Sequence, residues 1–383
     1  MRIFTAQMRR IDAPYIHQRP TWPNFTWDHE KVLPFVSQVR HKQGKLKGYM
    51  EFLGFTLRNE TTLHTLSLDV LKSTEIEGVF LNPEQVRSSI ARQLGMDIAG
   101  LVKADRHIDG VVEMMLDATQ RYNQPLSKDR LFDWHAALFP TGRSGMHKIT
   151  VGHWRTHEKG PMQVVSGAMG KERVHFEAPE AKRLEKEMKL FLKWFNSKRA
   201  PDEVLRSAIA HLWFVTIHPF DDGNGRMARA IADMALAAAD GSSQRFYSMS
   251  AQIRVERKGY YDILEKVQKG DLDITLWLLW YLNCLNRALD VTDHLLNRVL
   301  EKTRFWDKHL NTTINERQRL MINKLFDGFE GKLSSSKWAK IAKCSADTAL
   351  RDIQDLIVKR ILKKENAGGR STNYELRKRN HNK

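Results

Sequence analysis

The sequence is poor in the residues that mark secreted, zinc-stapled or membrane-embedded chains. Among 383 residues only two are cysteine, Cys284 and Cys344, far apart in the chain. They offer no disulfide framework and no cysteine zinc cluster, and as unpaired thiols they suit a reducing cytosol. His135, His147, His153 and His157 fit no zinc-ligand spacing and read as scattered, catalytically silent side chains. The chain opens with Met1-Arg2-Ile3-Phe4, without the long apolar stretch of a secretory signal. No run of about 18 apolar residues occurs, so no membrane span is expected and a cytoplasmic location is. Acidic residues are in deficit, 45 Asp+Glu against 62 Lys+Arg, for a formal charge of +17. That balance favours polyanionic partners (nucleotide, nucleic acid or an acidic protein surface) without choosing among them. Apolar side chains are plentiful, at 42% of residues. They are enough for a sizeable core, and the length suits two or three domains.

The densest chemistry lies in His218-Pro219-Phe220-Asp221-Asp222-Gly223-Asn224-Gly225-Arg226-Met227-Ala228-Arg229. Before it, Glu203 to Ile217 reads as a mainly apolar helix. That helix should end at His218, because Pro219 lacks an amide proton and disfavours the α conformation in the residue it follows. After it, Met227 to Ala239 is rich in Ala, Met, Leu and Ile and has high helix propensity. Gly223 and Gly225 are free to take positive φ, and Asn224 tolerates it. Such a turn aims successive N–H groups at one point and opens onto a helix N-terminus, an arrangement that binds anions. Arg226 and Arg229, three apart, add two guanidinium forks near one face. Taken piecemeal, these residues make an ordinary joint between two helices with a capping Asp. Taken together, they fill every specified position of HPFx(D/E)GNGRxxR, and the stretch resembles the signature of the Fic family.

The resemblance implies a nucleotidyltransferase that moves AMP from ATP onto a Ser, Thr or Tyr hydroxyl of a protein, its own chain included, and releases pyrophosphate. It implies His218 as the general base, a role suited to an imidazole titrating near pH ~6.5. Asp222, a hard oxygen donor, is the implied ligand of Mg²⁺. Asn224 and the amides around Gly223 and Gly225 would hold the α- and β-phosphates, with Arg226 and Arg229 on the β- and γ-phosphates. Phe220 is expected to pack inward. Upstream, Leu63 to Val79 reads as a helix with Leu63, Leu66 and Val70 on its apolar face and Gly78 as terminator. Glu75 and Glu77 near its end are either solvated acids or acids with a compensating partner, since they face the wrong end of the macrodipole. Ser73, Glu77 and Gly78 are in register with (S/T)xxxE(G/N), the inhibitory motif of Fic proteins, and the resemblance pairs Glu77 with Arg229.

Residues 161–176 change character. Two β-like runs around Ser166-Gly167-Ala168-Met169-Gly170 read as a hairpin that needs a packing partner. It resembles the Fic flap, which implies target binding by strand addition at Val174, His175 and Phe176. Tyr260 and Tyr261 are core, or else line an adenine pocket together with Gln268, as the family's Tyr-Tyr pair does. The aromatics Tyr15, Trp22, Phe25 and Trp27 are a binding surface or, the simpler reading, packing of an N-terminal segment. Asn82 to Gln120, Leu126 to Phe139, Pro179 to Lys198 and Leu272 to Leu295 are expected helices.

From about residue 312, three helices and a hairpin around Ala367-Gly368-Gly369-Arg370 resemble a winged helix. Arg351, Arg370 and the tail Arg377-Lys378-Arg379 are placed for phosphate contact. Such modules also bind proteins. The expected fold is therefore mainly α, a helical bundle with a small hairpin flap and a C-terminal winged-helix domain. Residues 1–60 form an N-terminal helical segment, 61–295 the catalytic core, and 312–383 the C-terminal module. The partners it admits are ATP, a target protein with an accessible hydroxyl, a second copy of the chain and DNA. Three other activities remain open. A phosphotransferase on the same fold is disfavoured by Gly225, where that branch tends to carry Lys. The others are removal of AMP from targets through a water at Glu77, and a nucleotide-sensing transcription regulator.

Overall fold

The computed structural model describes residues 15–52, 55–96, 101–158, 160–167, 171, 173–197, 202–326, 329, 331–365 and 372–377. The chain divides into two compact units, Met1–Thr292 and Asp293–Lys383. In the first, helices α1 (His29–Phe52), α2 (Phe55–Ile76), α3 (Pro83–Gln93), α4 (Arg106–Gln120) and α5 (Lys128–Leu138) precede two small hairpins. These are β1 (Arg143–Ser144) with β2 (His147–Lys148), and β3 (Gln163–Ser166) with β4 (Arg173–Glu177), both antiparallel. Helices α6 (Leu184–Phe195), α7 (Glu203–Ile217), α8 (Asn224–Asp240), α9 (Met249–Val255) and α10 (Arg257–Gln268) follow, and α11 (Thr275–Lys308) starts in this unit and crosses the division between Thr292 and Asp293.

The core is built round α7 and α8, which pack along each other. Most residues of both are buried, the half-buried ones being Glu203 and Arg206 of α7 and Gly225 and Ala238 to Asp240 of α8. A helix apolar on all sides belongs at the centre of a bundle. α6 covers α7, while α2 and α4 cover α8. The N-terminal aromatics are packing: Trp22 and Phe25 stand edge-on to Trp213 of α7, and Trp22 Nε1 donates to Glu187 Oε2 at 2.8 Å. Asp28 caps α1 through its Oδ1 and the Lys31 amide, 3.1 Å apart.

Two expected helices are corrected. Asn82 to Gln120 is two helices, because Gly95 at φ +65° ends α3 in a Schellman turn, with Met96 N–H on the Ala91 carbonyl. Asn82 caps α3 and Pro83 opens it. Pro179 to Lys198 shrinks to α6, and Leu190, expected on its buried side, is 40% exposed. Glu256 separates α9 from α10, and its carboxylate is forked by Arg287 at 2.6 and 2.5 Å.

The second unit holds α12 (Glu316–Phe326), α13 (Ser335–Ala342), α14 (Ala346–Val358) and the antiparallel pair β5 (Leu362–Lys364) and β6 (Tyr374–Leu376). Met321, Ile322, Trp338, Ile353, Leu356 and Leu362 fill its own core. Leu333 bridges to Tyr374, adding a short third edge. Arg351 is exposed on α14. The expected phosphate contacts Arg370, Lys378 and Arg379, like the hairpin tip Ala168–Gly170, lie outside the described residues. Among the described residues no helix is long and apolar enough to cross a membrane.

Candidate active site

The joint between α7 and α8 is fixed from several sides. Its first residue, His218, has φ 51° and ψ 59°, a left-handed conformation that costs a non-glycine residue energy and that clusters at functional positions. Pro219 disfavours the right-handed region at His218 and so ends α7 there, though a residue before proline ordinarily goes extended, not left-handed. The ring Nδ1 of His218 lies 3.1 Å from the Val215 carbonyl, an acceptor only, so Nδ1 carries the proton and Nε2 keeps its lone pair. Burial pulls its pKa down to about 4, with Arg155 pulling the same way and the Val215 carbonyl, Asp222 and Glu77 opposing. The imidazole is therefore neutral at pH 7 and able to accept a proton.

Phe220 is fully buried, as expected, and stacks on His135 with centroids 4.2 Å apart. His135 braces the joint: Gly152 N–H donates to its Nδ1, and its Nε2 faces the Asp222 carbonyl, each at 3.2 Å. Asn224 braces the loop. It is 2% exposed, its Oδ1 accepting from Phe220 N at 3.0 Å and its Nδ2 donating to Phe220 O at 2.8 Å. Asp222 accepts the Gly223 amide at 2.5 Å on one oxygen and the Ser144 hydroxyl on the other. Gly223 takes φ +82°, but Gly225 does not go left-handed: α8 begins at Asn224, earlier than propensity suggested. The first-turn amides of Asn224, Gly225 and Arg226 thus have no acceptor within the helix.

Both signature arginines are buried, Arg226 at 4% exposed and Arg229 at 2%. Arg226 packs over Phe139, 5.0 Å from its centroid, and burial lowers its pKa. Its Nε and the Nη1 of Arg229 have no hydrogen-bond partner among the described residues. Buried orphan donors of a cation, beside free helix amides, fit an anion. The remaining donors of Arg229 are taken. Nε meets the Ser73 hydroxyl at 2.9 Å, and Nη2 meets the Ser73 carbonyl at 2.8 Å and Glu77 Oε1 at 2.7 Å. Burial works against its charge, but Glu77 and the two tyrosines leave its pKa raised.

Glu77 reaches this place because α2 ends there in a Schellman turn. Gly78 at φ +81° donates to the Glu75 carbonyl and Val79 to that of Thr74, each at 3.1 Å. A Cβ built on Gly225 would lie 2.2 Å from Glu77 Oε1. Glycine there accommodates the carboxylate in the same space that would let a phosphate approach. Glu75 turns elsewhere, to Lys72 at 2.7 Å and Arg254 at 3.4 Å.

Two groups of expected site residues separate. Tyr260 and Gln268 do not line an open pocket: they are 2% and 5% exposed, Tyr260 bonded to His211 Nε2 at 2.8 Å and Gln268 to Thr216 at 3.2 Å. Burial raises the Tyr260 pKa. Tyr260 adjoins Arg229 from the buried side, and the Tyr261 hydroxyl lies 3.3 Å from Glu77 Oε2. In the hairpin, Phe176 is 1% exposed and packs edge-on to Tyr15 and His17, so it anchors the flap and is not offered to a target. Val174 is 38% exposed. His175 is clamped between Glu265 Oε2 at 2.6 Å and Ser166 Oγ at 2.5 Å. Arg155, Ser144, His135 and Glu265 were not singled out from the sequence. Nothing in their local pattern announces burial or a distant partner.

Residues 125–236 match the family model described as Fic/DOC family, and residues 15–96 one described as Domain of unknown function (DUF4172). The stretch that matches the Fic/DOC model contains the joint. The chain is 35% identical over 106 residues to "Protein adenylyltransferase Fic" of Aedes aegypti, covering 27% of this chain and 20% of that protein. It is 29% identical over 246 residues to "Protein adenylyltransferase fic-1" of Caenorhabditis briggsae, covering 62% and 45%. The chain spans less than half the length of these curated relatives. Its fold resembles a Fic family protein from Desulfovibrio desulfuricans G20, with a TM-score of 0.51 at 19% identity, over 94% of this chain and 99% of that one. It also resembles a Fic domain containing signaling protein from Bacteroides thetaiotaomicron VPI-5482, with a TM-score of 0.50 at 18% identity, over 69% and 98%.

Proposed function

We propose that this chain is a protein adenylyltransferase that moves AMP from ATP to a Ser, Thr or Tyr hydroxyl and is held back by its own Glu77. One observation carries the reading. A neutral imidazole with Nε2 free precedes, by a few residues, a helix N-terminus where two buried guanidinium groups, Arg226 and Arg229, each keep one nitrogen without a hydrogen-bond partner among the described residues. In the step, the acceptor oxygen forms a bond to the α-phosphorus while the bond from that phosphorus to the α–β bridging oxygen breaks. Pyrophosphate leaves, and the acceptor's proton passes to His218 Nε2. The first-turn amides of α8, Arg226 and Arg229 bind and orient the phosphates and stabilise their charge.

Asp222 is the residue to hold Mg²⁺. No cluster of three or more His, Cys, Asp or Glu side chains surrounds it among the described residues. That suits Mg²⁺, which keeps waters and phosphate oxygens as most of its ligands. When bound, the ion neutralises phosphate charge. Glu77 Oε1 competes for this ground, because it engages Arg229 and stands against Gly225. With Arg229 withheld, the γ-phosphate loses a clamp and the α-phosphate turns away from in-line attack.

The β3–β4 hairpin is read as the target dock, with Val165 and Val174 as exposed cross-strand neighbours. The second unit is read as a winged helix contacting DNA or protein. The test is incubation of the full chain with α-labelled ATP, Mg²⁺ and a lysate, followed by mass spectrometry. AMP on hydroxyl side chains, absent with His218→Ala, is the expected result. Label that persists in His218→Ala, or γ-phosphate transfer in its place, contradicts the proposal.

A further inference from the structure

Arg155 lies between the two hairpins, 4% exposed, and spends its donors on backbone carbonyls from two separate segments. Its Nε donates to the His218 carbonyl at 2.8 Å, and its own amide donates to the Pro219 carbonyl at 2.9 Å. Its Nη2 donates to the Pro179 carbonyl at 2.5 Å. Pro179 is the second residue after β4, just beyond the bond from Ala178 N–H to the Met162 carbonyl at 2.9 Å that closes the hairpin. One side chain therefore ties the exit of the hairpin to the left-handed turn that presents the imidazole. The carbonyls at the end of α7 have no partner within the helix, and a cation there also meets the favourable end of the helix dipole.

We propose that Arg155 is the positioning residue of the transfer reaction, fixing the His218 backbone in its left-handed turn and in register with the hairpin on which the acceptor docks. The proposal rests on the adenylyl-transfer reading for its rate consequence but not for its geometry. Arg155 touches no reacting atom. Its effect is on where Nε2 stands relative to an acceptor laid along β3–β4, and misplacement by about 1 Å costs about 10²-fold in rate. The charged groups facing His218 are Arg155, Asp222 and Glu77. Of these, Arg155 alone pulls its pKa down, so removing that charge raises the His218 midpoint from about 4.

The test uses the full chain carrying Glu77→Gly as parent, with Arg155→Met and Arg155→Lys added. It reads the first-order rate of AMP incorporation into the chain itself, the ATP dissociation constant, the melting temperature and the His218 titration by NMR. Arg155→Met should lose about 10²-fold in rate and Arg155→Lys, which keeps the charge but loses a prong, about 10-fold. ATP affinity should stay within about two-fold, and the His218 midpoint should rise in the Met variant alone. Unchanged rates in both variants, or a loss that follows ATP affinity or melting, overturns the proposal. Should Arg155→Met not fold, the rate and midpoint of Arg155→Lys decide. If the parent incorporates no AMP, it is the adenylyl-transfer reading that is in question. Arg155 is then judged by titration: a His218 midpoint unmoved in Arg155→Met overturns its role.

Discussion

At the front of α8, Arg229 meets Glu77; at its back, Arg245 meets Asp233, 2.9 Å apart. Both arginines are buried, yet the two carboxylates differ. Glu77 stands at the end of another helix, 32% exposed, with Arg229 and Tyr261 as its partners. Asp233 is 1% exposed on α8 itself, and Arg245 also holds its backbone carbonyl at 3.0 Å and lies over Tyr247. A second buried acid, Asp69 of α2, accepts the Ser248 hydroxyl at 2.5 Å in the same neighbourhood. Breaking a buried pair leaves an uncompensated charge, so the back contact is permanent. At the front, a phosphate can replace the carboxylate that leaves. The same chemistry thus serves as an anchor at one end of the helix and as a removable stopper at the other.

The largest effect expected from breaking the comparison is at the back. Arg245→Met should cost about 3–5 kcal/mol of stability, because it strands Asp233 without its paired cation. Urea unfolding of this variant beside Glu77→Gly, whose loss should be small, checks the contrast. Next is His218→Ala in a Glu77→Gly background. AMP transfer should fall by ~10²-fold or more with ATP affinity retained, measured by initial rates and calorimetry.

A smaller effect concerns pH. Burial, with Asp233 adding repulsion and Arg245, Ser248 and the Ser250 amide opposing, pushes the Asp69 carboxyl up to about 8. Its unfolded value is about 3.9. The folded chain therefore binds the extra proton between those values, and the group's contribution to stability is lost as pH rises through that window. Asp69→Asn mimics the protonated form, so its melting temperature should gain on wild type from pH 6 to pH 9; a constant gap contradicts this. The smallest effect is Glu75→Gly. Glu75 bonds Lys72 and Arg254, not Arg229, so transfer should stay within about two-fold of wild type in the same rate assay.

Much of the front of α8 was legible in the sequence. Helix α7 runs from Glu203 to Ile217 as Pro219 requires, and the Ser73–Glu77–Gly78 pattern meets Arg229 where the resemblance placed it. Those features depend on short-range rules: a proline, a Gly in a Schellman turn, a spacing of four along one helix face. What was not legible depends on burial and distance. Tyr260 and Gln268 carry the right side chains for an adenine pocket but point into the core, and the sequence holds no sign of which way α10 turns. Phe176 follows the period of a strand, so its neighbour and not itself faces outward. Asn224 is bonded through both its amide atoms to Phe220, four residues back, which only the closed loop reveals. Arg155 is one of 62 basic residues, and its partners lie 63 and 24 positions away.

The most direct test of the account compares wild type with Glu77→Gly for AMP transfer from α-labelled ATP, at saturating ATP and Mg²⁺, with Glu77→Asp as the charge-conserving control. Removing the stopper should raise the rate by about 10²-fold, equivalent to about 2.7 kcal/mol of recovered transition-state positioning, and Glu77→Asp should release less. Equal rates for wild type and Glu77→Gly, with His218→Ala lower than both, would contradict it and leave Glu77 a structural partner of Arg229 without control over the reaction.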